Sequence, residues 1–193
     1  MEALLKEVSA CTVCEKHLPF GVRPVVSLQP DCKILLISQA PGMRVHQSGI
    51  PWDDLSGNRL REWLDVSDDV FYDTTNFGVL PMGFCYPGKG KSGDLPPRKE
   101  CAPLWHPRLL ESLKQVKLTV LIGQYAQKYY LKGGFKSNLT KTVKEFDTFL
   151  PNYFPLPHPS PRNGIWLRKN SWFEEDVIPC LQSLVKEILA VDK

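Results

Sequence analysis

The sequence predicts an α/β fold, a three-layer α/β/α sandwich around a central, mainly parallel sheet of about four strands. Two apolar runs, Lys33 to Ser38 and Leu118 to Ile122, show no alternation of polar and apolar residues, as expected of parallel strands covered on both faces. Amphipathic segments of helical period separate the apolar runs. The 193 residues are enough for one well-buried domain, which we expect to span residues 1–193.

The first half of the chain contains two predicted helices and two predicted strands. Residues Glu2 to Val8 have the composition of a short helix, and prolines and glycines then keep the chain irregular up to the first strand. Ser56 is a suitable helix N-cap, and apolar residues follow it at helical spacing up to Leu64. A second apolar stretch, Phe77 to Phe84, predicts the next strand.

The second half repeats the alternation of helix and strand. A helix from Ala102 to Val116 carries leucines at helical spacing. Gly123 follows the strand Leu118 to Ile122 and opens a helix that runs through Leu131. The remaining predicted elements are a short helix within Leu139 to Phe149, a strand from Tyr153 to Leu156 and a closing helix from Trp172 to Val191. This alternation favours a parallel sheet between two helical layers.

Composition and charge exclude several classes of protein. Hydrophobic residues make up 42% and charged residues 23% of the chain, which excludes disordered and fibrous proteins. A formal net charge of +3 neither requires nor excludes a nucleic acid partner. The apolar runs are too short to span a bilayer, and the N-terminus lacks the apolar core of a secretory signal. We expect a cytoplasmic protein with no membrane partner, acting as a monomer.

Six cysteines in a reducing compartment are more often metal ligands, catalysts or core residues than disulfides. Two form a C-x-x-C motif near the N-terminus, and two more bracket a loop rich in proline and glycine. This set is Cys11, Cys14, Cys85 and Cys101. Four thiolates hold either a tetrahedral zinc or an iron–sulfur cluster, and the number of ligands does not separate the two. Cys32 and Cys180 lie beside apolar residues and are predicted to be core residues.

Three loops begin where predicted strands end, and parallel α/β folds bind their ligands at those ends. They start at Gln39, at Phe84 or Cys85, and at His158. The first contains the turn QAPG, which can bring backbone N–H groups to a ligand, and Trp52 beyond it can stack on a planar ring. The alternative is a structural turn with Trp52 in the core.

The loop after the last predicted strand reads PHPSPRN. Prolines on both sides hold His158 rigidly, which suits a donor that must meet a developing negative charge. Ser160, Arg162 and Asn163 add groups that can bind phosphates or base edges. The alternative is a proline-stiffened surface turn.

Taken together, these motifs resemble the uracil-DNA glycosylase superfamily from about Cys11 to Lys193. The family-four enzymes are most similar, with a GEAPG loop, a glycine-proline-phenylalanine segment, four cysteines around a [4Fe-4S] cluster and a late histidine motif. Here QAPG, GIPW and HPSPRN occupy those places. HPSPRN also resembles the late motif of the single-strand-selective branch. By this resemblance the four cysteines hold a [4Fe-4S] cluster, with zinc as the less favoured alternative.

The resemblance implies a DNA repair glycosylase, an N-glycosidase that flips uracil or a related deaminated base out of DNA and hydrolyses its glycosidic bond to leave an abasic site. It implies that Trp52 stacks on the flipped base and that His158 donates to the uracil oxygen O2 as charge develops there. It further implies that phosphates are held by Ala40, Pro41 and Gly42 and by Ser160, Arg162 and Asn163, with charge added by Lys89 and Lys91.

The sequence departs from the family-four pattern at two places. Gln39 stands where those enzymes carry a glutamate, and glutamine cannot be a general base, although its carbonyl can orient a water. His46, Asp53 or Asp54 can take over instead. The base-reading asparagine is also missing before Cys85, and we expect the backbone of Gly83 and Phe84 to read the base.

Two other functions remain open on the sequence alone. One is a non-catalytic iron–sulfur or zinc DNA-binding relative that senses damaged or single-stranded DNA, consistent with the missing glutamate. The other is an enzyme with a structural zinc that acts on free nucleosides or nucleotides.

Overall fold

A sheet of four parallel strands forms the centre of the computed structural model, which describes residues 1–190. The strands are β1 (Ile34–Ile37), β2 (Phe77–Val79), β3 (Lys89–Gly90), β4 (Gly93–Asp94), β5 (Leu118–Ile122) and β6 (Tyr153–Leu156). The helices are α1 (Glu2–Ser9), α2 (Met43–Ser48), α3 (Leu55–Leu64), α4 (Asp68–Tyr72), α5 (Cys101–Glu111), α6 (Gln124–Leu131), α7 (Leu139–Lys144), α8 (Gly164–Lys169) and α9 (Ile178–Ala190). Within residues 1–190, no helix has both the length and the apolar character needed to cross a bilayer.

The strand order β2-β1-β5-β6 brings the ends of non-consecutive strands together. β1 pairs with β2 and β5, and β5 pairs with β6, all in parallel, whereas β3 and β4 form a separate antiparallel hairpin. The carboxyl ends of the four parallel strands therefore lie at one edge of the sheet. The loops after β1, β2 and β6 all leave from this edge, where open α/β sheets bind their ligands.

Residues of β1 alternate between two hydrophobic cores, one on each face of the sheet. Ile34 and Leu36 belong to the core that also contains apolar residues of α3 and α9. Leu35 and Ile37 belong to the core that contains apolar residues of α5 and α6. Because both faces are covered, β1 has to be apolar at every position, which explains the unbroken apolar run in the sequence.

The predicted three-layer α/β/α fold is confirmed, and several element boundaries need correction. β5 and β6 have the predicted bounds. Asp54, and not Ser56, caps α3, because its Oδ1 accepts a hydrogen bond from the Gly57 N–H at 2.8 Å. β2 ends at Val79, earlier than predicted, shortly before Pro81, which has no N–H to donate.

The closing helix also differs from its prediction. It begins as a π-helical turn, Phe173–Val177, and continues as α9. Phe173 and Leu181 lie in the same buried core, as the apolar spacing predicts. The predicted end at Val191 lies outside the described residues.

A buried histidine of α5 holds the segment that follows β2. The carbonyl of Pro81 can only accept, so His106 donates its Nε2–H to it at 3.1 Å, and its Nδ1 accepts from the Tyr130 hydroxyl at 2.5 Å. The imidazole also stacks on Phe84, with ring centroids 5.8 Å apart. Burial lowers the pKa of His106 to about 4.

This lowered pKa predicts a loss of stability in mild acid. Below pH 6.5 the unfolded chain binds a proton at His106 that the folded chain does not bind until about pH 4. We therefore expect the free energy of unfolding to fall by about 3 kcal/mol as the pH falls across this window. Urea unfolding at several pH values measures the slope, and His106→Gln, which cannot titrate, serves as the control. Equal slopes for the two proteins would contradict the assignment.

Candidate active site at the carboxyl edge of the sheet

A cavity of about 620 Å³ opens at the carboxyl edge, between the loops that follow β1 and β6. Its lining includes the candidate residues of both predicted loops: Gln39, Ala40, Pro41, Gly42, Trp52, His158, Ser160, Arg162 and Asn163. Residues more than a hundred positions apart in the chain therefore share one cavity. The parallel sheet brings them together because β1 and β6 both pair with β5.

Trp52 lines the cavity and also belongs to the hydrophobic core. Its side chain is only 7% exposed, and its ring centroid lies 5.8 Å from that of His158. Its backbone has φ of 59°, in the left-handed region that few residues other than glycine adopt. The turn also requires Gly57, because a Cβ there would lie 1.7 Å from the Trp52 carbonyl oxygen. The two interpretations of Trp52, cavity wall and core residue, are thus compatible.

His158 follows β6 directly and is fixed by its own loop. The Asn163 side-chain amide donates to the His158 carbonyl at 2.7 Å. Burial lowers the pKa of His158 below its ordinary value, while the negative charges of Asp54 and Asp94 act in the opposite direction. The imidazole is therefore neutral near pH 7 and offers one N–H as a donor.

Two carboxylates line the same cavity beside the turn of the first loop. A Cβ on Gly42 would lie 3.9 Å from Oδ2 of Asp54 and 3.7 Å from Oδ2 of Asp94. The other oxygen of each is held by a fixed donor: the Gly57 N–H for Asp54, and the Tyr86 hydroxyl, at 3.2 Å, for Asp94. Both Oδ2 atoms therefore face the turn of the first loop.

A sequence model described as the Uracil DNA glycosylase superfamily matches residues 26–182. This range covers most of the chain and contains all four parallel strands together with Gln39, Trp52 and His158. The chain belongs to the uracil DNA glycosylase superfamily. The cavity at its strand ends is therefore the candidate active site of a glycosylase, and Cys11 and Cys14 precede the matched range.

Gln39 of this glycosylase fold connects two parts of the site. Its Nε2 donates to the Leu95 carbonyl at 3.4 Å, just after β4, and its backbone carbonyl accepts from the Gly83 N–H at 3.0 Å. The side chain therefore ties the first loop to the β3–β4 hairpin. Its Oε1 remains an acceptor that can orient a water.

Of the other residues considered for the role of general base, two lie outside the described lining of the cavity. His46 is buried and donates from Nε2 to the Phe20 carbonyl at 3.1 Å. Asp53 forms an ion pair with Arg44 at 3.5 Å. Asp54 is the one of these three that faces the cavity.

Gly83 and Phe84, expected to read the base, are not among the described residues that line the cavity. Phe84 is 1% exposed, and its carbonyl already accepts from the Val25 N–H at 2.8 Å. Gly83 is covered by the following loop, because a Cβ there would lie 3.0 Å from Pro97. The role expected of this pair in reading the base stays a prediction, which the lining of the cavity does not support.

Sequence reasoning missed Asp94 because no periodic signal marks the β3–β4 hairpin. This hairpin touches the late loop across the mouth of the cavity, since a Cβ on Gly93 would lie 2.7 Å from Nη1 of Arg162. Lys89 on β3 and Lys91 in its turn are both solvent-exposed. The positive charge predicted beside the site therefore lies on the hairpin and on Arg162.

The four cysteines of the predicted ligand set line one small void. Leu18, Pro24, Phe84 and Arg98 complete its wall. All four thiols are free, and burial raises the pKa of Cys101 to about 12. Within residues 1–190, no group of three or more histidines, cysteines and carboxylates has an arrangement ready to hold a metal ion. The structure thus gathers the four sulfur donors without displaying a formed metal site.

Proposed function

We propose that this protein is a DNA repair glycosylase that extrudes uracil, or a related deaminated base, from DNA and hydrolyses its N-glycosidic bond to leave an abasic site. The observation that carries the proposal is the convergence of an aromatic ring, a neutral imidazole and two carboxylates on one cavity. Each suits one part of the reaction. The ring suits the planar base, the imidazole N–H suits the departing base, and the carboxylates suit the sugar.

His158 and Trp52 act on the base in this proposal. When the bond between C1′ and the base nitrogen breaks, its electron pair stays with the base, and negative charge spreads to the base oxygens. The neutral His158 donates its N–H to that charge, and a rigid donor costs no reorganisation in the transition state. Trp52 stacks on the extruded ring and holds it beside the imidazole.

Asp54 acts on the water. The sugar left behind is an oxocarbenium ion, and a water oxygen bonds to C1′ while its proton passes to the Asp54 carboxylate and later to solvent. Gln39 cannot accept this proton, and Asp54 is the residue among the sequence candidates whose free oxygen faces the cavity. Asp94 adds negative charge that stabilises the oxocarbenium ion.

The loops around the cavity hold the DNA backbone. The turn of Ala40, Pro41 and Gly42 offers backbone groups, and Ser160, Arg162 and Asn163 offer side chains that line the same cavity. Arg162 and Lys89 supply positive charge for the phosphates that flank the extruded nucleotide.

The cysteine void supports a [4Fe-4S] cluster held by Cys11, Cys14, Cys85 and Cys101. The donor set fits, because four free thiols surround one void. When bound, the cluster supplies covalent cross-links that tie the N-terminal segment to both ends of the loop that carries the β3–β4 hairpin. A single zinc is the alternative occupant.

His158→Ala should lose cleavage while keeping the fold and most of the DNA affinity. Removing one donor aimed at developing charge costs about 10²–10³ in rate. Excess enzyme and a uracil-containing oligonucleotide, followed by alkali to cut abasic sites, measure the chemical step alone. An unchanged rate would remove His158 from the mechanism. If the wild-type protein binds DNA with deaminated bases but cleaves none of them, the non-catalytic DNA-binding function replaces the enzyme.

Asp54→Asn should slow the same single-turnover reaction by about 10²-fold or more, because the amide cannot take a proton from water. Asparagine is also a good N-cap, so it can still accept from the Gly57 N–H and keep α3 intact. Asp94→Asn is the matched control, and we expect a smaller loss, since it removes only charge stabilisation. A wild-type rate in Asp54→Asn, or a larger loss in Asp94→Asn, would contradict the assignment of Asp54.

Anaerobically purified protein should be yellow-brown and contain iron and sulfide, because thiolate-to-iron charge transfer absorbs visible light. Cys101→Ala should lose iron and melt at a lower temperature than the wild type. Cys180→Ala, which removes a thiol outside the void, should keep both properties. Colourless protein with one zinc per chain would support the alternative metal, and stable metal-free protein would make the cysteines structural thiols.

A further inference from the structure

A second cavity, of about 670 Å³, lies beside the candidate active site. Its lining includes Pro87, Leu95, Arg98, Lys99, Lys128 and Tyr129. The mechanism proposed above uses none of these residues. The cavity is comparable in volume to the first and opens to solvent at the same edge of the sheet, next to the start of α6.

The two cavities share one thin wall. Pro87 lines both of them. Successive residues also divide between them, since Asp94 lines the first cavity and Leu95 the second. The hydrogen bond from Gln39 to the Leu95 carbonyl fixes this wall in place. The two cavities therefore adjoin each other at Pro87 and at the end of β4.

The chemistry of the second cavity differs from that of the first. No residue of its described lining is aspartate or glutamate, whereas the first cavity holds two aspartates. Arg98 is paired with Glu100 at 2.6 Å, so Lys99 and Lys128 carry the net positive charge. Tyr129 is 39% exposed and Leu95 43% exposed, which leaves apolar surface open beside these cations. An aromatic side chain can stack on the planar base of an unpaired nucleotide, and the flanking lysines can bind its phosphates.

We propose that this second cavity binds an unpaired base of the DNA strand next to the extruded nucleotide, with that base stacked on Tyr129. The inference rests on the proposed function, because it needs a DNA strand that enters the first cavity. A base that is paired in a duplex cannot leave its partner at no cost, so the second cavity favours single-stranded or frayed DNA. It therefore supplies a basis for strand preference that lies outside the cleavage site.

The test compares Tyr129→Ala with Tyr129→Phe, which keeps the aromatic ring and removes only the hydroxyl. Binding is measured by fluorescence anisotropy with a uracil-containing oligonucleotide, as a single strand and as a duplex, in the His158→Ala background to prevent cleavage. We expect Tyr129→Ala to bind the single strand about 5- to 150-fold more weakly, and the duplex with little change. Tyr129→Phe should bind both as the parent does.

A second substrate closes a thermodynamic cycle. In this oligonucleotide the nucleotides flanking the uracil are abasic, so they have no ring to stack. Compared with the unmodified oligonucleotide, this substrate should bind the parent protein much more weakly but bind Tyr129→Ala almost equally well. The substitution and the missing bases remove the same stacking contact, so their effects on affinity should not add. Lys99→Ala and Lys128→Ala should each reduce the salt dependence of single-strand binding.

The proposal would be overturned if Tyr129→Ala lost equal affinity for the single strand and the duplex. It would also be overturned if the losses of affinity in the cycle were additive. A Tyr129→Ala protein that loses affinity for a free mononucleotide but not for the oligonucleotide would overturn it too, because that result would assign the cavity to a small molecule. If the losses of affinity in the cycle are not additive but the protein cleaves no deaminated base, the proposed glycosylase activity is overturned and the proposed binding site is retained.

Discussion

The backbone pairing of β1 with its neighbours determines where every loop of the site lies. This pairing continues past the end of the strand: the N–H groups of Leu80, Met82 and Gly83 donate to the carbonyls of Leu36, Ser38 and Gln39 at 2.9, 2.7 and 3.0 Å. The loops after β1 and β2 therefore leave the sheet side by side. Pro87 lines both cavities, and the Gln39 side chain donates one hydrogen bond to the Leu95 carbonyl between them.

The charge of the site changes sign between the two cavities. On one side, the carboxylates of Asp54 and Asp94 line the first cavity. On the other side, Lys99 and Lys128 stand without an acidic residue in the described lining. A deoxynucleotide chain has opposite needs along its length, since its phosphates are always anionic while its sugar becomes cationic only at the reacting position. In the proposed function, the aspartates therefore suit the sugar at the reacting position, and the lysines suit the phosphates of neighbouring nucleotides.

The sequence predicted those parts of the fold and site that depend on local pattern. β5 was predicted from an unbroken apolar run and β6 from the short stretch Tyr153 to Leu156. Gln39, Trp52 and His158 were chosen from loops that follow predicted strands, and all three line one cavity. Features that depend on packing between distant segments could not be read in this way. Asp94 lines the cavity because the short β3–β4 hairpin carries it there. Strands of two residues are too short to show a periodic pattern in the sequence.

Phe84 is a second residue whose surroundings depend on distant segments. Its position before Cys85 suggested a base-reading backbone, but stacking against His106 and pairing with Val25 draw it into the core. Local sequence cannot reveal that competition, because both partners come from remote segments. The same holds for Asp54, whose dual use as helix cap and cavity wall follows only from the path of the chain after Trp52.

The left-handed backbone of Trp52 makes position 52 a point of conflict in protein engineering. Asparagine or glycine would be more relaxed there, since a bulky residue in that region costs on the order of 1–3 kcal/mol. Truncating a buried tryptophan costs about 3–5 kcal/mol, which is more than this strain, so a screen for thermostability would tend to keep the tryptophan for its packing alone. Gly57, which leaves no room for any side chain beside the Trp52 carbonyl, would survive the same screen. A library that varies this turn needs selection for ligand binding at position 52 and can leave position 57 unvaried.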